Sequence, residues 1–383
     1  MGLAAISRGS APPYAPFRDG VDHNRLPTYG MHPRERMKTG LEAGDFVLFR
    51  RLINSMCRMH SLARGTEPLT IDRTHILVLN FNGRGLLADC LPSIVAAARS
   101  SPVPCRVTVV DNGSDDGSRE LVATDWPNVD FVSETNLGLA SFNRVLERLE
   151  EPVVLLLNND IKLDSGAVGP LIKVFETHGD ALFSAPLCWS FDGRTYEGMR
   201  TRVRTRFGLV QGMCRVPGFE KFLNQPDLTA ASGPVLAVDR RKFLALGGYD
   251  PIYFPGRIED LDLGFRAWMA GCRGYFVPES IAYHLGFGTF EPQLGKGRCD
   301  QLASRNTLIF MWKNTGGIRL LRHFAWLPIR FAFALLRGRL SFASGLLAAL
   351  SRVRRVLAAR RILAVGQGDW VERQEKFFER FEW

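Results

Sequence analysis

Asp160 ends the run Val-Val-Leu-Leu-Leu-Asn-Asn-Asp at positions 153–160. Five successive apolar residues, led by two valines, suit a strand buried on both faces. Such a strand admits a carboxylate only where it leaves the sheet, at the C-terminal edge where open α/β sheets bind ligands. Between Asn158, Asn159 and solvent, Asp160 is an oxygen ligand for a hard divalent cation that holds phosphates. The same residues also suit a turn or a helix cap. His284 closes a second apolar run, Ile281-Ala282-Tyr283-His284, ahead of Gly286-Phe287-Gly288. A lone histidine is more often structural, but beside Asp160 it would supply a nitrogen ligand that Mn²⁺ accepts.

A second pair of acids stands in Gly256-Arg257-Ile258-Glu259-Asp260-Leu261-Asp262-Leu263-Gly264-Phe265-Arg266-Ala267-Trp268. Leu261, Phe265 and Trp268 share one helical face, so a helix starts near Asp260. Acids at its first turn favour the helix dipole, and Asp262 with Arg266 is an i,i+4 ion pair. That structural role suffices for Asp262. Glu259 and Asp260, adjacent carboxylates after a loop, also offer one group as a general base. Two weaker signals precede them. Asp111 opens Asp-Asn-Gly-Ser-Asp-Asp-Gly-Ser after an apolar strand and could accept from a ribose or base, though a capped βα turn explains it as well. Asn136-Leu137-Gly138-Leu139-Ala140-Ser141-Phe142-Asn143 places small residues where helix amides can approach a phosphate.

These residues need a scaffold that delivers them to one edge. Strand-like runs at 75–81, 105–110, 129–132 and 153–157 alternate with helix-like segments near 85–99, 115–124, 138–149 and 165–177. That spacing predicts an α/β fold with a doubly wound, mostly parallel sheet. A less regular stretch spans 186–228, and another apolar run at 234–238 leads into a short helix before Gly247-Gly248. Residues 1–70 form a Pro-, Arg- and Gly-rich extension with one helix expected from Leu41 to Ala63.

Charge separates the C-terminal part. The net charge is +10, and residues 318–365 hold ten arginines with no lysine or acid. A nucleic-acid binder would more often spread its charge over the binding domain, so no nucleic acid is expected as partner. Here the arginines alternate with large apolar residues, and Pro328, Arg330, Arg337 and Arg339 interrupt every span that could cross a bilayer. The pattern predicts a basic amphipathic segment on an anionic membrane surface. The competing reading is helices packed on the catalytic domain with arginines facing water. Seven cysteines, none in a CxxC pair, fit a reducing compartment, and the N-terminus lacks a signal-peptide pattern. The expected location is cytoplasmic, peripheral on the inner face of the plasma membrane.

In order and spacing the motifs resemble glycosyltransferase family 2, inverting enzymes of the GT-A fold, and most of all bacterial rhamnosyltransferase-like members. The matching text starts at Leu77-Val-Leu-Asn-Phe-Asn-Gly-Arg. It runs through Val-Val-Asp-Asn-Gly-Ser, Thr-Asn-Leu-Gly-Leu-Ala-Ser-Phe-Asn, Leu-Leu-Leu-Asn-Asn-Asp, Gly247-Gly-Tyr-Asp-Pro, Glu259-Asp-Leu-Asp-Leu-Gly-Phe-Arg and Tyr283-His. It ends in Arg305-Asn306 and Trp312-Lys313-Asn314. The resemblance implies a nucleotide-diphosphate sugar donor, a glycan or lipid-linked acceptor, and Mg²⁺ or Mn²⁺. By position it puts Asn80 and Asp111 against base and ribose, and Asn136 and Asn143 near the diphosphate. Asn158 and Asn159 join the nucleotide-sugar site, Asp160 and His284 hold the metal, and Asp260 is the base beside Glu259. Asn158 stands where an Asp-x-Asp motif has its first acid, so part of the metal's hold passes to the phosphates. The domains implied are the 1–70 extension, a catalytic domain over 71–315 and a basic helical region over 316–383. The alternatives are a sugar-nucleotide nucleotidyltransferase, whose glycine-rich basic loop Asn82-Gly83-Arg84-Gly85 barely matches, and a non-catalytic membrane-associated scaffold, which need not keep both Asp160 and Asp260.

Overall fold

An alternation hidden inside apolar runs builds the central sheet. In the computed structural model, β1 (Thr74–Asn80) sends Ile76 and Val78 to one face and Leu77 to the other. β4 (Val153–Asn158) does the same with Leu155 and Leu157 against Val154 and Leu156. Both faces are covered, so both parities must be apolar. On one face lie α1 (Arg84–Arg99) and α4 (Val168–Thr177), which contribute Leu87, Leu91, Ile94, Leu171 and Phe175. On the other lie α3 (Ser141–Leu146) and α5 (Arg240–Ala245), with Phe142, Val145, Leu146 and Phe243. The structure describes residues 67–286, 294–364 and 369–383. The helix expected over 41–63, Cys57 and the loop residues Phe287 and Gly288 lie outside them.

The first half of the sheet is parallel. β2 (Cys105–Asp111) and β4 flank β1, and β3 (Asp130–Ser133) pairs with β2 beyond α2 (Ser118–Asp125). The register sets Asn80 beside Asp111, and Leu79 beside Asn158, at the C-terminal edge. The second half is mixed. β5 (Ile161–Leu163) follows β4; β6 (Ala181–Ser190) carries the short β7 (Tyr196–Gly198). β8 (Arg202–Arg206) and β9 (Leu209–Met213) form a separate hairpin. β10 (Asp227–Leu228), β11 (Val235–Asp239) and β12 (Arg273–His284) complete the order β10-β12-β6-β11-β4-β1-β2-β3. β11 runs antiparallel to both β4 and β6, which joins the two halves.

A third core lies under the C-terminal helices. α6 (Glu259–Met269) and α7 (Lys296–Asn314) bring Leu261, Phe265, Leu308 and Phe310 to it. After α8 (Gly317–Leu336), α9 (Leu340–Leu350) and α10 (Val353–Ala364) comes α11 (Trp370–Phe381). Its Phe377 and Phe378 meet Phe265 edge-on and tilted, with ring centres 5.0 and 6.4 Å away. His323 of α8 is buried: Nδ1 donates to Gly208 O (2.7 Å) and Nε2 accepts from Trp312 Nε1 (2.8 Å). Gly208 is left-handed (φ 74°), and a Cβ there would sit 2.9 Å from His323 Cα. All described residues fall within one compact unit.

Candidate active site

The C-terminal edge of β1, β2 and β4 holds a continuous polar cluster. Asn80 donates to Asp111 Oδ1 (3.0 Å) and to the hydroxyls of Ser114 and Ser118 (both 3.1 Å). Its carbonyl accepts from Asn159 (2.8 Å). Asp111 Oδ2 accepts the amides of Gly113 and Ser114, which closes the turn after β2. Asn80, Asp111 and Asn159 thus form one unit. Gly83 is required beside it: a Cβ would lie 2.0 Å from Asn159 Nδ2. Asn158, at the end of β4, is half-buried, with its backbone amide held by Pro234 O (3.0 Å).

Asn136 and Asn143 stand outside that hydrogen-bonded unit. Asn136 accepts from the Gly138 amide (3.1 Å), an Asx-type turn before α3. Asn143 both donates to Tyr249 O (2.8 Å) and accepts from Tyr249 N (3.0 Å), so its amide braces the turn at Gly247-Gly248. A Cβ on Gly248 would stand 2.2 Å from Asn143 Oδ1, which explains the glycine.

Strand pairing joins Asp160 to His284. β5 runs antiparallel to β12 with Ile161 opposite His284, and Leu285 N donates to Asp160 O (3.1 Å). Asp160 is 4% exposed, its Oδ2 3.5 Å from His284 Nε2. Oδ1 is buried with no hydrogen-bond partner among the described residues. A buried acceptor in that state calls for a donor or a cation. One carboxylate oxygen with one imidazole nitrogen suits Mg²⁺ or Mn²⁺, with phosphate oxygens or water completing the shell. No group of three or more acidic, histidine or cysteine ligands occurs among the described residues.

At the head of α6 the backbone is strained. Arg257 (φ 82°) and Ile258 (φ 73°) are both left-handed, and Ile258 is branched at Cβ. Such a conformation costs of order 1–3 kcal/mol per residue and persists where its surroundings hold it. Here α7 does so. Asn306 Nδ2 reaches the carbonyls of Tyr253 (2.8 Å), Gly256 (2.6 Å) and Arg257 (2.9 Å), while Arg305 holds Phe254 O (2.6 Å). Two turns further along the helix, Lys313 and Asn314 bind Asp262 Oδ1 at 2.8 and 2.7 Å. Sequence alone assigns these four residues no role. Polar pairs two turns apart, flanking the apolar run Leu308-Ile309-Phe310-Met311, are the signal that points to them.

The strained loop sets two carboxyls side by side. Asp260 Oδ1 accepts from Leu261 N (2.8 Å), while Glu259 Oε2 is buried without a partner among the described residues. Burial first, then the charge of Asp260, pushes Glu259 from the ordinary 4.5 to about 8. Burial also raises Asp260, against backbone amides that favour its anion. A carboxyl that keeps its proton in the folded state loses that advantage as pH rises. Glu259 therefore subtracts stability from pH 4.5 upward, in full above about 8. Glu259→Gln is expected to match the wild type in urea melts near pH 4.5 and to exceed it at pH 8.5. Equal midpoints at both values would show that Glu259 ionises freely.

Residues 75–244 match the model of the glycosyl transferase family 2. They belong to that family. An N-acetylglucosaminyl-diphospho-decaprenol L-rhamnosyltransferase of Mycobacterium tuberculosis is 28% identical over 287 residues, 66% of this chain and 87% of that protein. Among solved structures, GalNAc-T7 with UDP, GalNAc and Mn²⁺ aligns at a TM-score of 0.46 and 19% identity. It covers 63% of this chain, and this chain spans about half (48%) of it. A mannosyltransferase of Pyrobaculum calidifontis with GDP-Man and Mn²⁺ aligns at 0.44 and 15%, covering 87% of this chain and 95% of that one. The chain is a glycosyltransferase, similar to rhamnosyltransferases.

Proposed function

We propose that this glycosyltransferase moves a sugar from a nucleoside-diphosphate donor to a hydroxyl of a glycan or lipid-linked acceptor, in cell-surface polysaccharide synthesis, with inversion at the anomeric carbon. The observation that carries the reading is the Asp160–His284 pair at the sheet edge, with one carboxylate oxygen buried and unpartnered. Asn80, Asp111 and Asn159 form the polar floor for the nucleoside on the same edge. Asp160 and His284 would hold Mg²⁺ or Mn²⁺, which when bound neutralises the leaving diphosphate. Burial and the charge of Asp260 favour the protonated form of Glu259, and the backbone amides favour the anion of Asp260, which makes Asp260 the base of the pair. Asp260 removes the acceptor's hydroxyl proton. The oxygen then attacks the anomeric carbon opposite the departing phosphate, and the configuration inverts. Support for a lipid-linked acceptor comes from the mycobacterial relative, whose name states one.

Thermal-shift screening against UDP-, dTDP- and GDP-sugars with Mn²⁺ tests the donor. A ligand at about 100 times its Kd adds about 2.7 kcal/mol. No shift with any nucleotide sugar would sink the reading. Asp160→Ala is expected to weaken metal-dependent donor binding by tenfold or more in calorimetry, with little change in metal-free binding. Unchanged affinity with Mn²⁺ would remove Asp160 from the site.

The C-terminal helices support a place on an anionic membrane. Among the described residues no helix is long and apolar enough to cross a bilayer. The arginines divide into two sets. Arg319, Arg330, Arg352 and Arg360 bond to the protein: Arg352 to Ile252 O (2.5 Å), Arg360 to Trp312 O (2.9 Å). Arg322, Arg337, Arg339, Arg354, Arg355 and Arg361 are exposed, among exposed Leu321, Phe324, Ile329, Phe333, Leu336 and Leu340. Apolar burial plus about 1 kcal/mol per arginine near an anionic surface would hold this face on the headgroups. In co-sedimentation, anionic vesicles are expected to bind the protein well above neutral ones, and high salt to weaken the binding without abolishing it. Equal binding to both, or to neither, would favour the helices as packing elements only.

A further inference from the structure

A cavity of about 240 Å³ opens beside the β8–β9 hairpin, and none of the groups assigned above lines it. Its walls carry Arg200 and Arg202 together with Tyr196, Phe219, Phe222 and Trp383. Charge there is unbalanced. Arg200, Arg202 and Arg380 all converge on one carboxylate, Asp227. Glu382, also in the wall, shares Arg319 (3.3 Å) with Glu375, which holds it at 2.9 Å. Four guanidiniums against three acids leave one positive charge without a counter-charge. Burial lowers Arg202; Asp227 opposes that, and the neighbouring Arg200 and Arg380 add to it. A second anion would relieve that repulsion. Arg200 Nε is in addition buried with no hydrogen-bond partner among the described residues.

Cys214 lies in the cavity wall, where burial raises the thiol, a hydrogen bond with Thr201 opposes this, and the charge of Asp260 adds to it. A chain of contacts leads toward His284. Tyr196 O accepts from Arg215 Nε (2.6 Å), Arg215 pairs with Glu197 (2.8 Å), and a Cβ on Gly286 would stand 3.6 Å from Glu197 Oε2. Aromatic faces beside guanidiniums suit a sugar that bears a phosphate: the rings take its apolar C–H face, the forks its oxygens.

We propose that this cavity is the acceptor subsite and that it selects a sugar carrying a phosphate ester, held by Arg200 and Arg202. The proposal rests on the transferase reading given above, and it assigns the acceptor's charge. The test is calorimetry on the full chain with N-acetylglucosamine 1-phosphate, free N-acetylglucosamine and inorganic phosphate as probes. The expected result is saturable binding of the sugar phosphate, at least tenfold tighter than either fragment and weakened by salt. Arg202→Gln leaves Asp227 paired with Arg200 and Arg380, so the fold is retained; it should cost sugar-phosphate affinity tenfold or more. Trp383→Ala, at a half-exposed rim position, is a second variant expected to weaken the sugar phosphate and not inorganic phosphate.

Sugar-phosphate binding no tighter than that of the neutral sugar, or unaffected by Arg202→Gln, overturns the proposal. Binding no tighter than inorganic phosphate reduces the cavity to an anion site and overturns it too. Donor-induced thermal shifts, measured on the same samples, separate the two readings. Their absence in the wild type removes the transferase reading, while the sugar-phosphate titrations still judge the cavity.

Discussion

Asp260→Asn is expected to lower sugar transfer by about 10²–10⁴-fold while leaving the fold and donor affinity close to wild type. The amide keeps the shape of the carboxylate and can still accept from Leu261 N, the bond that fixes the side chain at 2.8 Å. What it loses is basicity. Removing one charge also releases Glu259 from the repulsion that helps keep it protonated, so its proton should leave at lower pH in the variant. The pH–rate profile therefore separates the two acids. If Asp260 is the base, the residual rate of the variant is flat where the wild type rises. If transfer stays within about threefold of wild type, a barrier change of about 0.7 kcal/mol, Asp260 is not the base and Glu259 takes its place. Glu259→Gln is the complement: it should keep most of the transfer, because Glu259 serves here as a neutral neighbour.

How much of this could be read without coordinates depends on sequence distance. β1, β2 and β4 announce themselves because a strand buried on both faces must be apolar at every position and polar where it emerges. Asn80, Asp111 and Asn158 mark those emergence points, and the register aligns them. The pairing of Asp160 with His284 depends on β5 crossing to β12, and no local pattern encodes it. β6 is hard to read for another reason. Its run Ala-Leu-Phe-Ser-Ala-Pro-Leu-Cys-Trp-Ser is interrupted by Pro186, yet eight of its ten residues are buried. The proline lies opposite Val277, next to a register shift in β12, where the ladder is irregular and a missing amide costs little. The left-handed pair Arg257-Ile258 is illegible too, since neither residue type favours that conformation. The bonds from Asn306 and Arg305, about fifty positions later, help to hold it. For the C-terminal arginines, composition gives the total but not the division: four are spent on the protein's own groups and six face outward.

The largest expected loss of stability follows from Asp262, the acid for which an ion pair with Arg266 is legible in the sequence. The residue is fully buried, and its two oxygens take five hydrogen bonds from four donors: Arg266 Nε (2.6 Å), Lys313 Nζ (2.8 and 3.0 Å), Asn314 Nδ2 (2.7 Å) and the Tyr253 hydroxyl (2.8 Å). Burial alone would raise this carboxyl, but Lys313 and Arg266 hold it well below the usual range. Asp262→Ala would leave two buried cations with one remaining acid, Asp250, which reaches Lys313 alone (2.6 Å). Breaking a buried pair from one side costs about 3–5 kcal/mol. The sign with pH follows from the depressed value. The contribution is complete above the ordinary 3.8 and fades as pH falls through the folded value. Urea unfolding at pH 7 should therefore show the full deficit, and the gap between variant and wild type should narrow below pH 3.8. A deficit under about 1 kcal/mol at pH 7 would mean that water replaces the carboxylate at no cost, and that α6 is held by its apolar face alone. The same carboxylate ties α6 to α7, whose Arg305 and Asn306 fix the loop before Glu259. A variant that folds should thus lose transfer as well, and Asp262→Asn, which keeps the oxygen facing Lys313, should recover part of both.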